Sequence, residues 1–276
     1  MLNLPRILAG LLLSTIIGGL AYRRGSLSRS GWLGAVITGT LTFGFGGWTW
    51  GLTLIVFFVT SSALSHFRQA QKQQIAGEKF EKSGRRDLFQ TLANGGAGAT
   101  LALIYGLAGQ SQALLACFCG VMATVTADTW ATELGVLSPT PPRMIINRRI
   151  VAPGTSGGVS TYGLAASAAG ALIIGVSAYL FGALELGVWL PVLVPAAGLA
   201  GLAGSLVDSL LGATVQAIYL ARDGGETERR ADSSGRPSAA LRGWRWMNND
   251  LVNFISSLVG GIVAVAILQI AATLGS

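Results

Sequence analysis

Charge is what this chain most lacks. Only 11% of its 276 residues are Asp, Glu, Lys or Arg, where a soluble domain carries about a quarter. Histidine is nearly absent, with His66 alone, so there is no HExxH pair and nothing beyond that residue for a serine–histidine triad. The two cysteines, Cys117 and Cys119, sit inside one apolar run. They give neither a disulfide framework nor a zinc spacing, and they read as packing residues. No G-x-x-x-x-G-K-[ST] occurs either, which disfavours an ordinary P-loop ATPase.

Apolar length is what remains. Half of the residues (51%) are hydrophobic, the mean hydropathy is +0.58, and glycine is abundant at 39 residues, as where helices pack closely in lipid. Apolar segments fall at about 5–22, 31–46, 48–65, 90–108, 112–136, 158–182, 187–220 and 250–274. Most approach the ~20 residues that span a bilayer. The segment at 187–220 is too long for one straight span and contains Pro191, Pro195 and Asp208, so a kinked or broken helix is expected there. The first segment lacks a convincing small-residue cleavage site and runs on into further spans, so it reads as an anchor and not a signal peptide. The expected fold is all-α: one integral membrane domain over 1–276, a polytopic bundle of about eight spans.

Basic residues test that count. Of the 19 Lys and Arg, one (Arg6) precedes the first span, and the other eighteen fall in the loops 23–30, 66–86, 137–150 and 221–249. Eight crossings put all four loops on one side, the cytoplasmic one by the positive-inside rule, with both termini opposite. The net charge of +7 therefore records topology and not an affinity for nucleic acid. The loop stretch from Asp223 to Ser238, rich in Gly, Ser and charge, is expected to be mobile.

That topology gathers the polar residues at one membrane face. Asp87, Gln90 and Asn94 open the fourth span; Asp128, Thr132 and Glu133 close the fifth; Ser205 and Asp208 lie toward the inner end of the seventh; Asn249, Asp250 and Asn253 begin the eighth. A carboxylate beside lipid is expensive and is kept where it faces a bundle interior or cavity. Each has a plainer reading: Asp87 as a helix cap, Asp208 on a Gly204–Gly212 packing seam, Asn253 as an interhelical hydrogen bond. Asp128 and Glu133, five apart, diverge by roughly 140° on a regular helix, and they meet at one ion only if the helix ends near Gly135. After them come Arg148, Arg149 and the turn Pro153-Gly154-Thr155-Ser156-Gly157-Gly158-Val159-Ser160. Guanidinium forks and undirected backbone N–H groups are what a phosphate needs.

Five blocks carry a family likeness: Arg86-Asp87-x2-Gln90-x2-Ala93-Asn94-Gly95; Ala127-Asp128-Thr129-x-Ala131-Thr132-Glu133; the Pro153–Ser160 turn; Gly204-Ser205-x2-Asp208-Ser209-x2-Gly212; and Asn248-Asn249-Asp250-x-Val252-Asn253. In order and composition they resemble the integral-membrane family that holds transmembrane protein 19 of animals and the phytyl-phosphate kinase of plant plastids and cyanobacteria (domain of unknown function 92). More distantly, an acidic helix end before a basic, glycine-rich turn is similar to membrane polyprenol kinases and CDP-lipid synthases, which use CTP and Mg²⁺. The first resemblance implies phosphorylation of phytyl phosphate to the diphosphate, feeding tocopherol synthesis.

The expected reaction is phosphoryl transfer from a nucleoside triphosphate, CTP in first place, to an isoprenoid phosphate. Asp128, Glu133 and Asp208 are assigned to Mg²⁺, a hard cation that takes oxygen ligands and retains waters. Arg148, Arg149 and residues 154–158 are assigned to the phosphates, with Asn249, Asp250 and Asn253 completing the metal or nucleotide shell. A phosphate acceptor brings its own nucleophilic oxygen; an alcohol would need Asp87 or Asp250 as base. The competing class is an ion-coupled transporter, which also uses broken helices and carboxylates but places its site near the midplane.

Overall fold

The computed structural model describes residues 3–77, 79, 84–187, 189–221, 224–232 and 234–274. Part of the 66–86 loop (78 and 80–83) and of the 221–249 loop (222, 223 and 233) lies outside the described residues. In chain order the helices are α1 (Leu4–Arg23), α2 (Arg29–Leu41), which loosens into a π-helical turn at Thr42–Gly46, α3 (Trp48–His66), the short α4 (Gln69–Ala76), α5 (Leu88–Ala108), α6 (Gln112–Gly135), α7 (Thr161–Leu186), α8 (Leu193–Thr214) and α9 (Asn249–Leu274). The starts are chemically marked. Asn3, Ser28, Asp87, Ser111 and Ser160 each accept a first-turn N–H through the side chain, the exchange that makes these residues good N-caps. The fold is the expected polytopic helical bundle. Among the described residues six helices (α1, α3, α6, α7, α8 and α9) are long and apolar enough to cross a membrane. α2 falls short at 13 residues before its π turn, and α5 is diluted by Gln90, Thr91, Asn94 and its glycines.

Contacts at the two ends show that α2 and α5 traverse the bundle with the others. At one end Glu185, closing α7, accepts from Trp48 N (2.8 Å), Thr49 N (2.6 Å) and Thr49 Oγ1 (2.6 Å) at the start of α3. There Gly47, at φ 97°, leaves room that any Cβ would take from the Glu185 carboxylate. Arg6, opening α1, donates to Gly44 O and Phe45 O, carbonyls of the π turn. At the other end Leu27 bridges to Arg86, and the last turns of α3 and α6 meet through Ser65 and Glu133 (2.5 Å). Setting α4 aside, successive helices therefore alternate in direction, and the four basic loops share the second end.

The sequence pattern predicts a kink or break in the segment 187–220, and the structure moves the irregularity outside the helix. α8 is continuous because Pro195 occupies its first turn, where the missing N–H costs nothing. Pro191 belongs to the turn before it, which Leu193 N closes on Leu190 O. Within the stretch Asp223 to Ser238, the described residues include a strand at Glu226–Thr227 and a bridge from Ala231 to Pro237. β3 (Ile218–Leu220), β4 (Glu226–Thr227) and β5 (Ala240–Arg242) form an antiparallel sheet ordered β4-β3-β5. A second ribbon pairs β1 (Arg143–Met144) with β2 (Gly158–Val159). Both sit over the end that holds the basic loops.

Helices in lipid gain little from burying apolar surface against one another, so they associate where small residues let backbones approach. α1 shows the division: Gly10, Gly18 and Ala21 are buried, while Leu4, Leu8, Leu12 and Ile16 point outward. α6 is the hub, packed on α3, α5, α7, α8 and α9 and buried continuously from Leu115 to Ala127 apart from Cys117. Trp50 stacks on Phe118 with centroids 4.2 Å apart, filling the gap between α3 and α6. On its other side α6 meets glycine: a Cβ at Gly204 or Gly260 would fall inside the Thr124 side chain, and one at Gly120 would strike Gly260 O. Gly260→Ala should therefore destabilise the bundle by about 1–3 kcal/mol through overpacking. Gly96→Ala, whose Cβ would meet only Leu92 at 4.0 Å, should be neutral or stabilise by up to about 1 kcal/mol. Thermal unfolding of both variants in one detergent checks the contrast, and equal melting temperatures would sink the packing argument.

Candidate functional site

At the loop-covered end the ends of α5, α6, α7, α8 and α9 surround a polar cavity of about 320 Å³. Its floor is a pair of carboxylates. Asp128 on α6 and Asp208 on α8 lie one helical turn beyond the contact between Thr124 and Gly204, and they face each other at hydrogen-bonding range. Asp208 is 9% exposed. Ser256 Oγ donates to Asp208 Oδ2 at 3.0 Å, and the Asn253 amide, turned so that its nitrogen donates, gives the same oxygen a second bond at 3.0 Å. Glu228, from the loop after β4, stands within electrostatic range of both acids. It accepts from Ser156 Oγ (2.9 Å) and Gln216 Nε2 (2.8 Å).

The glycine-rich turn forms the roof. Gly154 and Gly157 adopt left-handed backbone (φ 79° and 84°), and Gly157 must lack a Cβ because one would collide with Ala213. The turn hangs from β1 and β2 and from Ile145 N, which donates to Gly157 O at 2.9 Å. Its Ser156 and Gly157 N–H groups donate to no acceptor among the described residues, which leaves them for a ligand. Arg242 fastens this roof, donating to Gly212 O (2.7 Å), Ser156 O (3.2 Å) and Glu226 Oε2 (3.2 Å). It thereby also satisfies a carbonyl at the C-terminal end of α8.

Most of the sequence-predicted residues line this one cavity. Gln90, Asn94, Thr132 and Ser205 reach it, as do residues 154–158 of the turn and Asn249, Asp250 and Asn253 at the start of α9. Three do not. Asp87 caps α5, its Oδ1 accepting from Gln90 N at 2.9 Å, and it stands behind the wall. Arg148 and Arg149 lie exposed on a tight turn closed by Met144 N on Arg149 O and Arg148 N on Met144 O, with Arg148 itself left-handed at φ 57°. The turn that makes them neighbours in sequence points them away from the cavity.

Glu133 lines the cavity but leaves the proposed metal set. Because α6 stays helical through Gly135, the five-residue offset keeps the two acids on different faces. Glu133 turns to Lys72 of α4, with which it forms a close ion pair, and to Ser65. Among the described residues no three His, Cys, Asp or Glu side chains gather as a metal cluster. The donor set that remains is the Asp128–Asp208 pair. It suits Mg²⁺, which is held by one or two carboxylates and completes its shell with water and substrate phosphate.

Two cations reach the cavity: Lys72, which the sequence does not single out, and Arg86, which opens the first family block but has no site role assigned there. Lys72 lies in a loop with no motif, and it also donates to Leu64 O at 2.7 Å. Arg86 is partly buried beside Phe57 and Phe58, donates to Ser62 Oγ at 3.0 Å and faces Glu133 across the cavity wall. Burial lowers its pKa, and Glu133 opposes that shift. Glu133→Gln should thus leave two cations without their anion and cost about 1–3 kcal/mol, given that Lys72 and Glu133 retain some solvent. A Lys72→Met, Glu133→Leu pair of changes should restore part of the loss. Detergent melting curves of the single and double variants check this; a single variant as stable as the parent would refute it.

Comparison with known proteins places these residues in a wider group. A family model described as integral membrane protein DUF92 matches residues 12–261. The chain is 33% identical over 276 residues to Protein PGR of Arabidopsis thaliana, covering 92% of this chain and 93% of that one. It is 30% identical over 266 residues to an uncharacterized membrane protein of Methanocaldococcus jannaschii (96% and 95%). It is 27% identical over 248 residues to Protein VTE6, chloroplastic, of Arabidopsis thaliana (88% and 66%). No solved structure matches.

Proposed function

The chain belongs to the DUF92 family of integral membrane proteins, and on that premise we propose that it is a prenyl-phosphate kinase. The reaction transfers a phosphoryl group from a nucleoside triphosphate, CTP in first place, to an isoprenoid monophosphate. The observation that carries this reading is the facing of Asp128 and Asp208 beneath a turn whose Ser156 and Gly157 N–H groups find no acceptor among the described residues. Two acids held together need a cation to offset their repulsion, and undirected amides need an anion; a metal–nucleotide complex supplies both. The resemblance of the five sequence blocks to the phytyl-phosphate kinase family supplies the acceptor class. All four basic loops lie at the cavity end, which by the positive-inside rule supports a reaction on the cytoplasmic side, where nucleotide is abundant.

Phosphoryl transfer asks chiefly for positioning and charge neutralisation. Asp128 and Asp208 would hold Mg²⁺, with Ser256 and Asn253 fixing the orientation of Asp208. The ion, when bound, neutralises charge on the bridging phosphate oxygens. Ser156 N and Gly157 N grip the nucleotide phosphates; the Thr155 hydroxyl donates to Ala152 O at 2.7 Å and so steadies the turn, and Lys79, whose Nζ donates to Thr155 Oγ1 at 3.1 Å, adds positive charge at that edge. An oxygen of the acceptor phosphate attacks the γ-phosphorus. The new P–O bond forms as the bond to the β-phosphate oxygen breaks, and the nucleoside diphosphate leaves. The attacking oxygen is already anionic, so no general base is required, consistent with Asp87 being spent as a cap.

Purified protein should convert geranylgeranyl or phytyl monophosphate to the diphosphate with CTP and Mg²⁺. Asp128→Asn and Asp208→Asn should each lower kcat/KM by about a hundredfold or more, near 3 kcal/mol of transition-state stabilisation. Their melting temperatures should hold or rise, because a neutral amide beside the remaining acid removes a repulsion and can donate to it. Activity lost in proportion to stability would make the acids structural. No turnover with any nucleotide, combined with substrate uptake into sealed vesicles, would transfer the protein to the transporters.

A further inference from the structure

A second cavity of about 80 Å³ lies beside the first, among α1, α2, α3 and α5. Its walls are of another kind: Leu13 and Ile17 from α1, Ala35 from α2, Leu54 and Phe58 from α3. Among the described residues Arg86 and Asn94 alone line both cavities, standing in the wall that the polar chamber and the apolar one share. Among the described residues the Arg86 guanidinium has one hydrogen-bond partner, Ser62 Oγ, and it lies 5.9 Å and 6.0 Å from the ring centroids of Phe58 and Phe57. Glu133 acts on it through space, yet among the described residues no carboxylate forms an ion pair with it.

A guanidinium fixed by aromatic faces, with most of its N–H groups unspent, complements a phosphate in bidentate fashion. A pocket that is apolar on one side of it and polar on the other complements a molecule with an anionic head on a hydrocarbon stem. We infer that Arg86 and Asn94 hold the acceptor's phosphate at this junction, with its first isoprene units in the second cavity. This rests on the prenyl-phosphate reading and adds the wall that receives the acceptor, which leaves the glycine-rich turn to the nucleotide. A cavity of about 80 Å³ holds a short branched segment and not a twenty-carbon chain. The remainder of a long chain lies outside in lipid and contributes little to recognition.

Two measurements test this on the full-length protein. Geranylgeranyl monophosphate bearing a diazirine on its phosphate-proximal unit, irradiated without nucleotide, should label residues of α1, α2, α3 or α5 around Leu54, and excess unlabelled compound should suppress the labelling. In turnover assays Gly95→Leu and Ala35→Leu, both of which face the second cavity, should raise the acceptor KM tenfold or more and keep the CTP KM within twofold. Arg86→Gln should do the same. For the parent protein, lengthening the acceptor from two to four isoprene units should change KM less than threefold. Labels in the second cavity without diphosphate formation would uphold acceptor binding and overturn the kinase reading. Diphosphate formation with labels elsewhere would overturn this inference alone. Should the bulky variants not fold, the labelling of the parent protein decides.

Discussion

The distance between α6 and α8 governs this molecule. In lipid no hydrophobic force draws two helices together, so their separation is set by what their facing side chains allow. Here Gly204 receives Thr124, and the helices close until backbone nearly meets side chain. One turn further on, the same closeness brings Asp208 to Asp128. A larger residue at position 204 would move the two acids apart before any cavity residue had changed. At the same Thr124, and one turn back at Gly120, Gly260 brings α9 in at equal proximity, and Ser256 and Asn253 come with it. The polar floor is therefore a product of packing between glycines.

Charge at the two ends of the bundle is treated differently. At one end each charged group is consumed by the backbone: Glu185 satisfies the opening of α3, and Arg6 the loosened carbonyls of the π turn. At the other end several charged groups stand close together with capacity left over. Glu133 and Lys72 pair, Arg86 stays short of a carboxylate partner, and the Asp128–Asp208 pair has no cation beside it among the described residues. Under the proposed function, those unsettled charges are the ones a metal–nucleotide complex would meet.

The membrane bundle was legible in the sequence because apolar length and the placement of nineteen basic residues are properties of the chain itself. So was the convergence of Asp128, Asp208 and Asn253, since topology alone sends their helix ends to one face. Pro191 and Pro195 misled because proline breaks a helix only from inside, and a shift of a few residues put Pro195 in the first turn of α8. Arg148 and Arg149 misled for a related reason: adjacency to a glycine-rich turn says nothing of direction, and a left-handed residue turned them outward. Lys72 could not be read, and Arg86 was visible only as part of a block and without a role, because their partners lie 61 and 24 residues away. Only folding makes such pairs visible.

Tryptophan sets the depth at which all this operates. Trp244 and Trp246, stacked and exposed just before α9, mark one interface, and exposed Trp48 and Trp189 mark the other, where indole rings settle at headgroup level. Asp128 and Asp208 lie seven and six residues inside their helix ends, about 10 Å below that level at 1.5 Å per residue. For the proposed prenyl-phosphate acceptor, reaching the carboxylates means a dip of about two helical turns, with the tail in hydrocarbon throughout. Under the proposed reaction, encounter becomes a search in two dimensions, governed by surface density in one leaflet and not by solubility in water. The product, with one more phosphate and the same tail, is returned to the leaflet from which the substrate came.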